Sequence, residues 1–473
     1  MNKNINKKFK NKTMLFDRHE FWKDPDNSNQ PQNIKNICLH DKKNNKTPQR
    51  KPKVVVDIYD AANEIMFKQL EYAMFQNRSN DDKLVSGVQL TAFNIFRLFA
   101  CELINEYAPD KYVALKNQND KAAHILIYGF DKLGESLLTE AAHAYHFAHF
   151  KTTKITVVDS NIEIKKINYL NIQPNISKIV QVNFIDENVF WQSFTYYAGV
   201  IDVCFVTGDV DAKNYYIAHR LRQKFFSYLL SKMPFEEVSK EDISSKNLLS
   251  NPKIILASSH FDDVFEMIKD NKDNDFNKLC INVERMYQNV CNSNKLLFGN
   301  EIIDIIARQI YVYYSVQDKE SKVEKKLFIN EWEFLTDDEK DQNRWAARHM
   351  FIKLRFLNPQ HQLPKNKDDV EHYNINKQSL LQSLDNVPKE IKILLAQWEH
   401  KRWMAEKYLT GFTGGEVLND QNFYNTFLKT RLRWHECLVP WDNLSDKYKN
   451  IDKKLTDFRN ILADLNFDEV KKS

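Results

Sequence analysis

Glycine is scarce in this chain, with 9 glycines in 473 residues. Cysteine is scarce too, and the 6 cysteines include no CxxC pair, which argues against a disulfide framework and against a zinc site. No apolar run reaches the roughly 18 residues that a membrane helix needs, and the N-terminus lacks the apolar core of a signal peptide. The sequence therefore predicts a cytoplasmic globular protein with no metal site and no membrane insertion.

The N-terminal segment is strongly basic. Residues 1–53 contain 14 Lys and Arg against 5 Asp and Glu, a net charge of +9, which leaves −5 for residues 54–473 of a chain whose total is +4. This composition, rich in Asn and Lys, predicts a disordered basic tail. Contact with nucleic acid or an acidic partner is the alternative, but the aromatic residues form no basic and aromatic groove, so nucleic-acid binding is not expected.

Helical spacing of apolar residues follows the tail. It predicts a helical segment over residues 54–121, whose role is packing or oligomerisation. The part from Val88 to Tyr107 is amphipathic, so we expect it to pack on a partner helix or on another copy of the chain in a homo-oligomer. The apolar positions are Phe67, Leu70, Met74, Leu90, Phe93, Ile95, Phe96, Leu98 and Phe99.

Short β-rich runs alternate with helical stretches over residues 122–290. This alternation predicts an α/β domain of the Rossmann type, with a parallel sheet covered by helices on both faces. The predicted strands are His124–Tyr128, Lys154–Val158, Ile179–Val182, Val200–Val206, Lys253–Ala257 and Leu279–Val283. The predicted crossover helices are Glu135–Phe147, Asp186–Tyr197, Asn214–Leu230 and Phe261–Asp270.

The first of these strands runs into Gly129, and Gly134 follows at the start of a helix. A tight glycine turn lets the backbone approach a diphosphate, which the amides at the helix N-terminus then favour. Asp159 ends the second strand, where a carboxylate accepts hydrogen bonds from ribose hydroxyls. The candidate nucleotide-binding residues are Gly129, Phe130, Asp131, Lys132, Leu133, Gly134, Asp159, Thr207, Gly208 and Asp209.

These motifs resemble the regulatory NAD-binding domains of bacterial potassium channels and transporters, the RCK or TrkA-N type. The resemblance implies that NAD(H) or another adenine nucleotide binds here. The chain departs from the family at Asp131, which replaces the middle glycine and places a carboxylate where a pyrophosphate approaches. Three hypotheses stay open: Lys132 compensates for that charge, the ligand lacks the diphosphate, or the scaffold has lost its cofactor.

Helical patterns dominate residues 301–470. Two segments resemble one another, one starting at Trp332 and one at Trp441, and each follows a predicted helix, which predicts two related helical halves. The polar stretch over residues 361–388 is predicted to be a linker between them.

The second half carries three motifs: Glu399-His400-Lys401-Arg402-Trp403, Gly411-Phe412-Thr413-Gly414-Gly415 and His435-Glu436-Cys437-Leu438-Val439-Pro440-Trp441-Asp442. They resemble the RyR domain, the helical repeat named after ryanodine receptors, although Phe412, Gly414 and Glu436 replace a usual Trp, Tyr and Pro. In a helix Glu399, Arg402 and Trp403 share a face, which places an aromatic ring beside a guanidinium. The ligand-binding candidates are Glu399, His400, Arg402, Trp403, His435, Trp441 and Asp442; the alternative is that they form a structural core network.

The combined resemblance implies a nucleotide-sensing regulatory protein, with an adenine nucleotide in the Rossmann lobe and a nucleotide-derived signal in the RyR lobe. Prokaryotic RyR-like domains are associated with nucleotide signalling and antiviral conflict systems. Two alternatives stay open: a detached regulatory subunit that gates a potassium channel or transporter, and a nucleotide-processing enzyme. The sequence contains no Ser-His-Asp order and no Tyr-x-x-x-Lys pair, so we assign no catalytic residues.

Overall fold

The computed structural model divides into two compact units, Met1–Ile95 with Thr336–Asp338, and Phe96–Leu335 with Glu339–Ser473. The structure describes residues 13–15, 53–57, 89–208, 210–232, 252–258, 281–286, 290, 301–315, 332, 335, 337–361, 363–364, 367–414, 432–465 and 467.

The first unit contains a three-stranded parallel sheet. Its strands β1 (Thr13–Leu15), β2 (Lys53–Asp57) and β3 (Gln89–Phe93) pair in the order β1-β2-β3. The prediction of a helical segment is therefore wrong at β2 and β3, because β-branched and aromatic residues satisfy their backbone in a sheet as readily as in a helix. The prediction of a disordered tail is wrong at β1, and the rest of residues 1–52 lies outside the described residues.

Helix α1 (Ile95–Glu106) follows β3. Phe99, Leu103 and Ile104 are at most 2% exposed, so much of the apolar face predicted to meet a partner is covered by the chain itself. Residues 58–88 lie outside the described residues, and with them the predicted helical positions Phe67, Leu70 and Met74.

A six-stranded parallel sheet forms the centre of the second unit, in the order β6-β5-β4-β7-β8-β9. This order confirms the predicted Rossmann-like α/β fold, since the chain starts in the middle of the sheet, builds one half and then crosses to build the other. The strands are β4 (His124–Tyr128), β5 (Lys154–Asp159), β6 (Gln181–Asp186), β7 (Val203–Val206), β8 (Lys253–Ser258) and β9 (Ile281–Arg285).

Within the described residues, helices follow four of these strands. Successive side chains of a strand point to opposite faces, which places Leu126 and Tyr128 on one face of the sheet, where they pack in one apolar core with the helices after β6 and β7. The prediction missed α3, whose sequence mixes apolar and polar residues without a clear helical stripe. The helices are α2 (Lys132–Ala144), α3 (Ile162–Ile172), α4 (Glu187–Gln192), α5 (Phe194–Ala198) and α6 (Asp211–Lys232); the predicted helix Phe261–Asp270 lies outside the described residues.

The C-terminal region is helical where it is described. The predicted polar linker over 361–388 is wrong, because helix α9 spans Lys367–Asp385 and buries Val370, Tyr373 and Leu384 at helical spacing. Trp332 and Trp441 each precede a helix start by five residues, at Asp337 and Asp446. The helices are α7 (Glu301–Ser315), α8 (Asp337–Leu357), α9, α10 (Lys389–Leu409), α11 (Asp446–Leu455) and α12 (Phe458–Ala463).

Candidate functional site

The glycine turn after β4 brings two loops of the sheet into backbone contact. Gly129 has a φ of 98°, and a Cβ atom there would lie 1.5 Å from the carbonyl oxygen of Thr207, so no other residue fits. A Cβ atom at Gly134 would lie 2.3 Å from the Gly129 oxygen. The two predicted glycines therefore serve close packing of the β4 loop against the start of α2 and the end of β7.

Asp131 caps the N-terminus of α2. Its Oδ1 accepts a hydrogen bond from Gly134 N at 3.1 Å, and the Thr207 hydroxyl lies 3.3 Å from the same oxygen. A carboxylate here interacts favourably with the helix dipole, as a phosphate would. The protein's own carboxylate therefore occupies one of the amides that a diphosphate uses in a nucleotide-binding crossover, and it repels a second anion.

Asp159 ends β5 and is 8% exposed. Its Oδ2 accepts hydrogen bonds from Phe130 N and from Lys165 Nζ, both at 2.8 Å, and its Oδ1 accepts from Asn161 N at 2.8 Å. Burial raises the pKa of Asp159, but these three donors outweigh it and hold the pKa below the usual value. A carboxylate offers about four acceptor positions, so the ionised group retains one for a ligand donor.

The remaining predicted residues of the turn differ in role. Phe130 is fully buried, with its ring against Tyr169 and Phe184, and Leu133 is 1% exposed, so both belong to the core. Lys132 is exposed at the start of α2. Gly208 O accepts from Asn214 Nδ2 at 2.9 Å, and Asp209 lies outside the described residues. Sequence reasoning missed Lys165, the partner of Asp159, because no motif marks it.

Helix α2 connects this turn to the C-terminal helices. Near its far end Glu140, 2% exposed, accepts from Arg97 Nε at 2.9 Å and from Trp345 Nε1 at 3.3 Å. His143, one turn later, stacks on Trp345 of α8. The far end of α2 is therefore in direct contact with α8.

The predicted face of α10 is an interior charge network. Glu399 and Arg402 are each 2% exposed, and Arg402 Nε donates to Glu399 Oε1 at 2.8 Å while Arg402 Nη1 donates to Glu406 Oε2 at 2.9 Å. Lys353 of α8 pairs with Glu399. Burial raises the pKa of Glu399, but Arg402 and Lys353 outweigh it and lower the pKa below its usual value. Arg402 is thus committed to two carboxylates of its own helix.

His400 joins α10 to the segment that contains the last motif. Its Nε2 lies 2.8 Å from Val439 O, and its Nδ1 lies 3.2 Å from Asp452 Oδ2. Because a carbonyl oxygen only accepts, Nε2 carries a proton. A hydrogen bond between Nδ1 and Asp452 Oδ2 needs one further proton, on either of these two atoms. Burial raises the pKa of Asp452 above its usual value.

The structure brings four of the predicted residues together in an aromatic cluster. Ring centroids lie 5.8 Å apart for His400 and Trp403, 4.8 Å for Trp403 and His435, and 6.0 Å for His400 and Trp441. Trp403 and Trp441 are half-buried, so each ring has a solvent-accessible part, and Asp442 is exposed beside them.

Two lysines lie against this aromatic cluster, of which Lys407 is 7% exposed and is paired with Glu406 Oε1 at 3.0 Å. Lys407 Nζ lies 5.8 Å from the Trp403 ring, and Lys449 Nζ lies 5.8 Å from the Trp441 ring. The predicted combination of an aromatic ring and a cation is therefore present, but the cations are Lys407 and Lys449 and not Arg402. The signal for Lys407 was its position four residues after Trp403 on α10.

No family model, curated protein or solved structure matches this chain. Within the described part of the chain, no helix is long and apolar enough to cross a membrane, and no group of His, Cys, Asp and Glu is placed to hold a metal ion.

Proposed function

We propose that this chain is a nucleotide-sensing regulatory protein, whose ligand binds at the carboxyl ends of β4, β5 and β7. The observation that carries the proposal is the Asp159 carboxylate, which the amides of Phe130 and Asn161 hold in place at the edge of the sheet. An ionised carboxylate that is already fixed at this position accepts a hydrogen bond from a ribose hydroxyl without the entropy cost of ordering its side chain. The adenine base is inferred from the resemblance to RCK-type domains.

The Asp131 cap supports a ligand that places no diphosphate on α2. A diphosphate on α2 would compete with the Asp131 carboxylate for the amide of Gly134. The proposal is therefore an adenine nucleoside or mononucleotide in preference to NAD(H). The positive charge of Lys132, exposed at the start of α2, would favour a phosphate that points away from the turn.

In this proposal, helix α2 couples ligand binding to the C-terminal helices. The helix begins at the proposed ligand and ends on Trp345 of α8, through Glu140 and His143. A ligand that favours one position of the glycine turn changes the packing of α2 on the C-terminal helices, which is the coupling that a sensor requires.

The C-terminal helices form, in this proposal, a RyR-type domain with a ligand surface at the aromatic cluster. Trp403 and Trp441 each have a partly accessible ring. Lys449 lies over the Trp441 ring, and Lys407, which is paired with Glu406, lies over the Trp403 ring. Stacking and charge together suit a nucleobase that carries a phosphate.

Isothermal titration calorimetry with adenosine, AMP, ADP-ribose and NAD⁺ tests the proposal. We expect wild-type protein to bind adenosine or AMP more tightly than the two diphosphates. Asp159→Asn should weaken binding about 10- to 150-fold, since a hydrogen bond to a charged group contributes about 1.5–3 kcal/mol. Asp131→Asn keeps a cap without the charge and should raise the affinity for ADP-ribose.

Glu163→Gln is the matched control, because Glu163 is an exposed carboxylate in the first turn of α3. It should leave every affinity unchanged. If none of the four compounds binds to wild-type protein or to Asp131→Asn, the sheet is a scaffold without a nucleotide and the proposal fails.

A further inference from the structure

A cavity lies away from the glycine turn, on the side where α8 and α10 meet the loop after α1. It has a volume of about 390 Å³, which is in the range of small-molecule sites. Its walls come from the short helix Pro109–Lys111 and the loop after it, from α8, from the loop after α8 and from α10. No residue of the nucleotide site lines it.

The interior of this cavity is aromatic and apolar. Phe147 and Trp398 are at most 1% exposed, and Leu363 is 3% exposed. The ring of Phe356 meets Trp398 at 5.7 Å with the planes at 87°, so the two rings form adjoining flat walls. Flat aromatic walls favour a planar apolar ligand, which can stack on one ring and meet the other by its edge.

The rim of the cavity is positively charged. Arg355 and Asp110 form a bidentate ion pair at 2.8 and 2.9 Å, so their charges cancel. The charge of Lys111 is offset by Glu106, whose carboxylate lies 3.7 Å from its ammonium. Lys116, in contrast, donates to a carbonyl oxygen, that of Phe356, at 3.3 Å, and its ammonium lies 5.9 Å from the Phe356 ring. Among the described residues that line the cavity, Lys116 is therefore the cation without a carboxylate partner.

Two ring nitrogens of the lining residues lack partners. Among the described residues, neither Trp398 Nε1 nor His361 Nδ1 has a hydrogen-bond partner, although both atoms are buried. The hydroxyl proton of Ser383 goes to Leu380 O, so His361 Nε2 donates to Ser383 Oγ and the neutral ring leaves Nδ1 as an acceptor. Buried polar atoms without a partner are uncommon in folded proteins, and both of these belong to residues of the cavity wall.

We propose that this cavity binds a small organic anion with a planar aromatic body, its carboxylate or phosphate at Lys116 and its ring against Phe356 and Trp398. The site does not depend on the nucleotide proposal, since it shares no residue with the glycine turn and faces a different set of helices. The cavity is then a second small-molecule site of the protein, and it lies against α8, the helix that α2 also contacts.

Titration calorimetry on the full chain tests the site with three probes: 1-naphthoate, 1-naphthyl phosphate and the neutral 1-naphthalenemethanol. We expect one or both anions to bind about three- to tenfold more tightly than the alcohol, as one solvent-exposed charge contact allows. The stronger of the two anions identifies the head group. Equal affinity for all three, or no saturable binding by any of them, would overturn the proposal.

Three variants locate the binding. Val113→Trp places an indole in the cavity mouth and should abolish binding of the anions. Lys116→Glu changes an exposed side chain and should weaken the anions about three- to tenfold without affecting the alcohol. Lys166→Glu, an exposed lysine of α3, is the control and should change nothing. Unchanged affinity in Val113→Trp and Lys116→Glu, with thermal melts that show folded protein, would place the probe elsewhere and overturn the assignment.

Discussion

The imidazole of His143 lies flat on the indole of Trp345, with ring centroids 3.9 Å apart and an angle of 13° between the planes. His143 belongs to α2, the helix that starts at the glycine turn, and Trp345 belongs to α8 of the C-terminal region. This stack, together with the Trp345 bond to Glu140, joins the Rossmann-like sheet to the helices that follow it.

We predict that Trp345→Ala lowers the free energy of unfolding by about 3–5 kcal/mol, the range for a buried Trp truncated to Ala. Trp345→Phe keeps an aromatic face and loses the hydrogen bond to Glu140, so it should cost about 1 kcal/mol plus the loss of packing. Urea denaturation measures both. A loss below 1 kcal/mol in Trp345→Ala would show that the stack carries little of the contact between α2 and α8.

The same stack predicts a dependence of stability on pH. Burial lowers the pKa of His143 to about 4 against the opposing charge of Glu140, and burial likewise lowers the pKa of His124 to about 4. Between the ordinary pKa of 6.5 and pH 4 the unfolded chain binds protons that the folded chain does not, so the free energy of unfolding falls as the pH falls. His143→Phe should reduce this slope without removing it, because burial also lowers the pKa of other histidines, namely His124, His146, His149, His349 and His361. Replacement of the exposed His372 by Gln should not, and an unaltered slope in His143→Phe would contradict the prediction.

Arg402→Ala should destabilise the protein strongly, because it leaves Glu399 and Glu406 buried without their shared partner. Breaking a buried ion pair in this way costs about 3–5 kcal/mol. Arg459→Ala is the control, since the pair of Arg459 with Asp385 is exposed and should contribute less than about 1 kcal/mol. If Arg402→Ala keeps its stability but loses binding of a phosphorylated adenine ligand, Arg402 is a ligand contact and not part of the core network.

Gly129→Ala should be much more costly than Gly411→Ala. Both glycines have positive φ, 98° and 84°, so each replacement places alanine in a left-handed backbone conformation, which costs about 1–2 kcal/mol. A Cβ atom at Gly411 would lie 3.7 Å from its nearest neighbour, whereas at Gly129 it would overlap the backbone of Thr207. We therefore expect Gly129→Ala to fold poorly or to melt well below Gly411→Ala in differential scanning calorimetry. Similar melting temperatures would contradict the crowding at this turn.

We predict a homo-oligomer in which α3 contributes to the contact. Ile164 and Ile167 on this helix are 69% and 58% exposed, and they lie one turn apart on one face. Burying such a face releases about 25 cal/mol per Å². Sedimentation velocity should show a species larger than the monomer, and the double variant Ile164→Lys/Ile167→Lys should shift it to the monomer. A wild-type protein that is monomeric at tens of micromolar would contradict this prediction.

Local pattern was enough to predict the parallel sheet, because strand and helix periodicities are properties of short segments. His124–Tyr128 was predicted with the bounds that the structure gives, and Gly129 and Gly134 stand where the sequence placed the tight turn. Helix α9 was missed because its apolar residues are diluted by polar ones, and the burial of Val370 and of Tyr373, whose ring meets that of Phe467, stabilises it.

Only the tertiary structure decided which charges are available to a ligand. The sequence placed Arg402 beside Trp403 on one helical face, but it could not reveal that Lys353, 46 positions before Glu399, pairs with Glu399 and completes an interior network. It likewise could not show that Lys116 is brought to the Phe356 ring. The physical reason is the same in each case: burial and charge pairing depend on residues that are distant in the chain, and a linear pattern contains no information on those distances.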